Sequence, residues 1–249
     1  MAWRSSGTSN ASLVENLWRN KLITQPLVKA AFLRVDRAHY APSSPYHDSP
    51  QYIGHDATIS APHMHANAAE SLLPFLLPKV EEGHQSAEGV ASVQGRKGRG
   101  RRILDIGSGS GYLTHVLAEL VGEDGLVVGL EHILPLRDLG EANMRKSAEG
   151  RALLEQGRVR FRVGDGRKGW CEPGEEEAGW DAIHVGAAAA ELHEELVRQL
   201  RAPGRMFIPV EDSHGEQFIW TVDKDAQGEV VKKRLYGVRY VPLTDAPKG

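Results

Sequence analysis

The residues best suited to chemistry in this 249-residue chain are a run of small ones, Gly107-Ser108-Gly109-Ser110-Gly111, with an acid, Asp105, just ahead of it. A glycine turn between a strand and a helix lets a ligand approach backbone that side chains would otherwise shield, and the helix N-terminus adds a positive dipole. The dinucleotide fingerprint G-x-G-x-x-G would place its third glycine at position 112, where Tyr112 stands. A carboxylate at Asp105 can accept from an ammonium group and would repel a pyrophosphate. Glu131, with His132 beside it, falls at a distance along the chain suited to ribose hydroxyls, and Asp165-Gly166 is placed where a carboxylate can read the exocyclic amine of adenine. Taken singly, each acid reads as a solvated strand end. Three of them at the ends of three strands, beside a glycine loop, describe one joint site.

Those groups have to be held by an alternation of strand, turn and helix that begins at Arg102-Ile103-Leu104-Asp105-Ile106. A helix from about Gly111 to Leu120 and a strand from Leu126 to Glu131 follow, a pattern that predicts parallel pairing. Further strands are expected at Val159 to Val163, Trp180 to Val185, Arg205 to Val210, Phe218 to Val222 and Lys233 to Tyr240, with a helix near Glu191 to Leu200. No helix-sized segment separates the last two strands, so the sheet should end in an antiparallel hairpin. Upstream, Ser12 and Glu15 have capping-box spacing and predict a first helix to about Leu22. Thr24 is the expected cap of a second, with Pro26 in its first turn and Leu27, Ala31, Phe32 and Val35 on one face. Ala41 to Pro62 carries four prolines and reads as a long structured loop, followed by a helix from about His63 to Leu77. Glu81 to Gly100, running into the basic stretch Arg96 to Arg102, is expected to be an exposed, mobile loop. The reading is one α/β domain over 1–249, with an N-terminal helical and loop region (1–80), an insertion (81–100) and a Rossmann-like core (101–249). Its sheet is expected to be mostly parallel and seven-stranded, with helices on both faces.

Composition narrows the partners. Thirty Lys and Arg against 33 Asp and Glu give a formal net charge of −3, so no global charge argument favours nucleic acid or an anionic membrane. Cys171 is the only cysteine, which excludes an internal disulfide and a thiolate metal cage within one chain, and a reducing, cytosolic setting is expected. No segment has the length and apolarity of a signal peptide or a membrane span. His63 and His65 are expected to be hydrogen-bonded loop histidines, and no metal is expected. A Ser60 nucleophile working with either histidine is disfavoured, because such a serine belongs on a strained strand-to-helix elbow.

The glycine loop with its three acids resembles the Rossmann-like class I methyltransferases that use S-adenosylmethionine. The fourth strand continues as Asp181-Ala182-Ile183-His184-Val185-Gly186, without the Asn/Asp-Pro-Pro-Tyr motif of base and amide N-methylating members, and no Pro-Cys setting is present. More narrowly, Asp48-Ser49-Pro50, Ile53-Gly54, Ala57-Thr58-Ile59-Ser60-Ala61-Pro62-His63-Met64-His65, Val163-Gly164-Asp165-Gly166 and Val241-Pro242-Leu243-Thr244-Asp245 are similar to signature segments of the protein-L-isoaspartate (D-aspartate) O-methyltransferase family. Met1-Ala2-Trp3 and Asp36-Arg37-Ala38-His39-Tyr40-Ala41 fit its eukaryotic branch. Two stretches are longer than the family pattern, Glu81 to Gly100 and Cys171 to Gly179, the second expected to be a charged surface loop.

The resemblance implies methyl esterification of the α-carboxylate of isoaspartyl residues in proteins and peptides, with S-adenosylhomocysteine as product and a monomeric enzyme. An aspartyl-type carboxylate has a pKa near 4 and is already a nucleophile at neutral pH, so no general base is needed. By the same resemblance Ser60 orients that carboxylate at the reacting centre. The cofactor contacts fall to Ala57, Thr58, Ile59, Ser60, His65 and Thr244, together with Asp105, Gly107, Ser108, Gly109, Glu131, His132, Asp165 and Gly166. Ile208-Pro209-Val210 is expected to flank the peptide as a strand edge offering main-chain hydrogen bonds. Other readings are a methyltransferase for a different carboxylate or small molecule, a non-catalytic binding protein on this fold, and a nicotinamide oxidoreductase.

Overall fold

The computed structural model describes residues 5–77, 100–175 and 177–244. The insertion expected at 81–100 therefore lies outside the described residues except for Gly100. Helix α1, Asn10–Arg19, is capped one turn earlier than the spacing of Ser12 and Glu15 predicts. Ser9 is the cap and Ser12 its reciprocal partner at the third helical position, each hydroxyl accepting from the other's N–H at 3.2 and 2.9 Å. Glu15 is thereby free to pair with Lys29 at 2.8 Å. Helix α2, Pro26–Arg34, starts from Gln25. Thr24 gives its N–H and hydroxyl to Glu70 instead of capping, and Leu27 is exposed, off the packed face. The expected loop 41–62 contains a hairpin, β1 (Gln51–Gly54) with β2 (Ala57–Ile59), before helix α3 (Pro62–Leu76).

The main sheet takes β3 (Arg102–Ile106), β4 (Leu126–Glu131), β5 (Val159–Val163), β6 (Trp180–Val185), β7 (Leu200–Glu211), β8 (Gln217–Lys224) and β9 (Val230–Val238) in the order β5-β4-β3-β6-β7-β8-β9. Pairing is parallel from β5 through β7 and antiparallel from β7 through β9. Helix α4 (Tyr112–Leu120) links β3 to β4, α5 (Leu134–Met144) and α6 (Ala148–Glu155) link β4 to β5, and α7 (Glu194–Gln199) precedes β7.

Period-two alternation sorts the strand residues between two cores. Leu104, Ile106, Val128, Leu130, Ile183 and Val185 pack with Leu196 of α7 on one face. Ile103, Val127 and Ala182 pack with α3, α4 and the N-terminal helices on the other. Asp105 falls on this second face, one step from Ile103, and so does its register partner on β6, His184. At the far edge, β9 is exposed along nearly its whole length.

The segment Cys171–Gly179, expected to be a charged surface loop, is anchored to the sheet through two of its described residues. Glu172 is 3% exposed and accepts from Arg160 at 2.9 Å, Arg162 at 3.0 Å and the Trp170 indole at 2.9 Å, while Glu175 pairs with Arg102. Two strands of the sheet thus hold it down.

Candidate active site

The loop after β3 takes its shape from Gly107, Gly109 and Gly111, with φ of 73°, 49° and 81°. Gly111 is the left-handed cap of α4, and a Cβ there would stand 2.8 Å from the carbonyl oxygen of Gly140 on α5, so this third glycine serves close packing. The Gly107 and Ser108 N–H groups are bonded to Leu130 at the end of β4. Ser108 Oγ is buried with no hydrogen-bond partner among the described residues. An orphaned hydroxyl on a backbone turn of this kind suits a polar ligand.

Around that loop the structure brings together Thr58, Ile59, Ser60, His65, Asp105, Gly107, Ser108, Gly109, Ser110, Leu113, His184 and Gly186, lining a cavity of about 30 Å³. Thr58 and Ile59 bring strand β2 to its wall, and Ile53 of β1 packs near the same loop, with Cδ1 3.3 Å from where a Gly109 Cβ would be. Asp105, 1% exposed, is fixed from two sides, by His184 Nδ1 at 2.7 Å and the Thr114 hydroxyl at 2.5 Å. Each of its oxygens keeps a second lone pair. Glu131 stands at the rim. Its Oε2 accepts the Gly109 N–H at 3.0 Å and its Oε1 the N–H groups of His132 and Ile133 at 2.9 and 3.1 Å. The His132 ring approaches the same carboxylate at 3.2 Å, and that hydrogen bond raises its pKa. Asp165, after β5, holds Arg167 through its N–H and a bidentate guanidinium pair, which keeps the carboxyl below its ordinary range. Gly166 packs on Ile106 and Leu243, and Thr244, next along the chain, is exposed.

A second cavity, of about 540 Å³, opens between the start of α3 and the C-terminal end of β9, lined by Ser60, His63, Asn67, Tyr236, Val238 and Tyr240 among others. Thr58, Ser60 and Gly186 line both cavities. Burial raises the pKa of Tyr240 and, to a smaller degree, so does Tyr236, while a hydrogen bond with Ser60 opposes the rise; the phenol is a neutral hydroxyl beside the serine. His63 Nδ1 is 2.7 Å from the buried Asp48, which also takes the His63 N–H at 3.0 Å. Ser60 does not adopt a left-handed backbone conformation.

Ala57 pairs with Gly54 in the hairpin and lines neither cavity. Ile208, Pro209 and Val210 do not reach the large cavity either. They form the inside of β7, paired with Trp220, Ile219 and Phe218 on one side, while Ala189 exchanges hydrogen bonds with Pro209 and Glu211 on the other. The free strand edge expected there is therefore occupied.

Arg37 has no counterpart in the sequence reading of the site. It is 0% exposed, lies over the Tyr112 ring, donates to the Ser60 carbonyl at 2.8 Å and approaches His65 Nδ1 at 3.3 Å. An arginine four residues before a proline-rich loop carries no local signal of burial.

The family model described as protein-L-isoaspartate(D-aspartate) O-methyltransferase matches residues 8–248. A Caenorhabditis elegans protein-L-isoaspartate O-methyltransferase is 43% identical over 98% of this chain and 96% of its own length. Arabidopsis thaliana protein-L-isoaspartate O-methyltransferase 1 is 41% identical over 96% and 93%. The crystal structure of a Plasmodium falciparum protein of the same description, in complex with S-adenosyl-L-homocysteine, superposes with a TM-score of 0.79 at 33% identity, covering 96% of this chain and 99% of that one. With matches that run almost end to end in both partners, the chain belongs to the protein-L-isoaspartate (D-aspartate) O-methyltransferase family.

Proposed function

We propose that this chain transfers a methyl group from S-adenosylmethionine to the α-carboxylate of L-isoaspartyl residues in proteins and peptides. The observation that carries the reading is that the cavity at the glycine loop and the larger open cavity share one wall, Thr58, Ser60 and Gly186. A donor held on the loop side and an acceptor entering from the open side meet at Ser60.

The groups of the loop side suit the donor: the orphaned Ser108 hydroxyl, the Asp105 and Glu131 carboxylates and His65. Asp105 would face the ammonium, Glu131 and His132 the ribose, Asp165 and Gly166 the adenine, with Thr58 to Ser60 and Thr244 completing the enclosure. The glycine-loop side is the narrower of the two cavities, about 30 Å³ against about 540 Å³. When bound, S-adenosylmethionine supplies an electrophilic methyl group on a sulfonium. The chain's own contribution is positioning and exclusion of water. The Ser60 hydroxyl orients the acceptor carboxylate, with Tyr240 as a neutral partner that does not repel it. No residue is asked to remove a proton, since the nucleophile is ionised at neutral pH. The nitrogen of the following peptide bond then attacks the ester carbonyl and expels methanol, closing a succinimide that water reopens partly as ordinary aspartate. The whole described chain serves as one domain in this reading, acting as a monomer in the cytosol.

The test is methyl transfer to a peptide carrying isoaspartate against the same peptide carrying aspartate, with wild type and Ser60→Ala. Transfer to the isoaspartyl peptide alone is expected, and Ser60→Ala should lower kcat by about 10²-fold, as expected for removing one preorganised donor. Equal rates on the two peptides would overturn the assignment.

A further inference from the structure

We propose that Arg37 is a positioning residue that holds His65 as a neutral imidazole with its proton on Nε2, directed into the cavity at the glycine loop. The inference rests on reading that cavity as the methyl-donor site. A guanidinium only donates hydrogen bonds. With Arg37 Nη1 3.3 Å from His65 Nδ1, that ring nitrogen has to present a lone pair, which leaves the proton for Nε2. An imidazolium here would set one N–H against another. Among the described residues Nε2 has no hydrogen-bond partner, and the ring lines the cavity with Asp105 and residues 107–110.

The surroundings agree on the charge state. Arg37 faces the ring from the short helical turn Arg37–His39, Tyr112 from α4 with ring centroids 5.2 Å apart, and His184 and Asp105 from β6 and β3, while His63 lies on α3 itself. Burial, then Arg37, His184 and His63 in that order, hold the His65 pKa well below its ordinary value. Arg37 stays a cation although burial lowers its own pKa to about 10, with Tyr112 and Asp48 opposing that shift. A neutral N–H donor can bind an anionic group of the ligand without placing a second positive charge beside a sulfonium. The other arm of the same guanidinium holds the Ser60 carbonyl at 2.8 Å, so one side chain keeps the donor-side histidine in register with the residue at the acceptor.

The first measurement needs no variant: ¹⁵N NMR of the His65 ring in the ligand-free protein from about pH 5 to 8, where an unperturbed histidine titrates. A non-titrating Nε2–H tautomer is expected. A proton on Nδ1, or titration with a midpoint near the ordinary 6.5, would overturn the proposal. In Arg37→Met the ring should exchange between tautomers and the KM for S-adenosylmethionine should rise about tenfold, as for one lost charge-assisted hydrogen bond. Arg37→Lys, which keeps a donor and a charge, should restore the tautomer and most of the KM. A folded Arg37→Met protein with the wild-type tautomer and KM would refute the role. Failure of isoaspartyl transfer with the tautomer intact would count against the substrate reading and leave this one standing.

Discussion

Replacing Glu131 by Gln asks whether the acid at the end of β4 both builds the glycine loop and receives the ligand. The residue is 4% exposed, and its two oxygens take three backbone N–H groups, Gly109 at 3.0 Å on one and His132 and Ile133 at 2.9 and 3.1 Å on the other. A glutamine has one acceptor oxygen, so its NH₂ must face one of these sets. The less costly orientation faces Gly109, leaving one donor unpaired rather than two. An unsatisfied buried donor costs about 1–3 kcal/mol, so the ligand-free variant should lose about 2 kcal/mol of stability. In a chain of this length that is a fall of about 4–8 °C in Tm. Its ligand-facing consequence is separate: with one acceptor in place of two, affinity for S-adenosylhomocysteine should drop about 10- to 100-fold. Thermal unfolding of the ligand-free protein and calorimetric titration read the two effects independently. A lowered Tm with wild-type affinity would refute the ligand contact, and an unchanged Tm would refute the loop-building role.

Two further substitutions test parts of the fold around the site. Glu172→Ala should destabilise by about 2–3 kcal/mol in urea titration at neutral pH, since it strips one buried carboxylate from three donors, two of them on arginines that can turn partly to water. Burial pushes the Glu172 pKa up, but hydrogen bonds from Arg162, Trp170 and Arg160 outweigh it and hold it below its ordinary value. Its contribution is therefore present above the unfolded pKa and is lost as pH falls through the folded one; a difference from wild type that persisted in strong acid would contradict this. His132→Gln should act with the opposite sign. Its pKa is raised by the hydrogen bond to Glu131, so the stabilisation is complete below the unfolded value and disappears as pH rises through the folded one. A loss of about 0.5–1 kcal/mol near pH 5.5 and none near pH 9 is expected from paired melts, and the reverse order would refute the pairing.

The parallel half of the sheet is legible in the sequence because its strands are short segments bounded by turn residues, either largely apolar, as in Leu126–Glu131, or strictly alternating, as in Val159–Val163. Leu126–Glu131, Val159–Val163 and Trp180–Val185 form at the residues read from the pattern. The β1–β2 hairpin is not legible. Its strands have four and three residues, too few to show alternation, and its turn places His55 and Asp56 at φ of 52° and 55°, a geometry whose usual sequence signal is glycine or asparagine. The first helix cap was misplaced because Ser9 and Ser12 share a spacing with Ser12 and Glu15, and only the Lys29 pairing separates them. In the site, the loop and its acids follow from local motifs. Arg37 and Tyr240 are held by residues far away in the chain, Ser60 and Gln217, which no window on the sequence brings next to them. Ile208–Val210 shows a different limit: local pattern identifies a strand and is silent about which neighbours take its hydrogen bonds.

The last strand of the sheet has a consequence for how copies of this chain meet. β9 ends the sheet with nine residues whose outer main-chain groups face outward, and Val231 on it is 63% exposed, a combination that would template pairing with another molecule. In its middle stand Lys232, Lys233 and Arg234 in succession. Two such edges brought together would set cations against cations across about 5 Å of ribbon, with no acid on either strand to neutralise them. Replacing the run with Thr or Val should therefore raise self-association at high concentration, read by light scattering, and no change would show that the charges do not set how these edges meet.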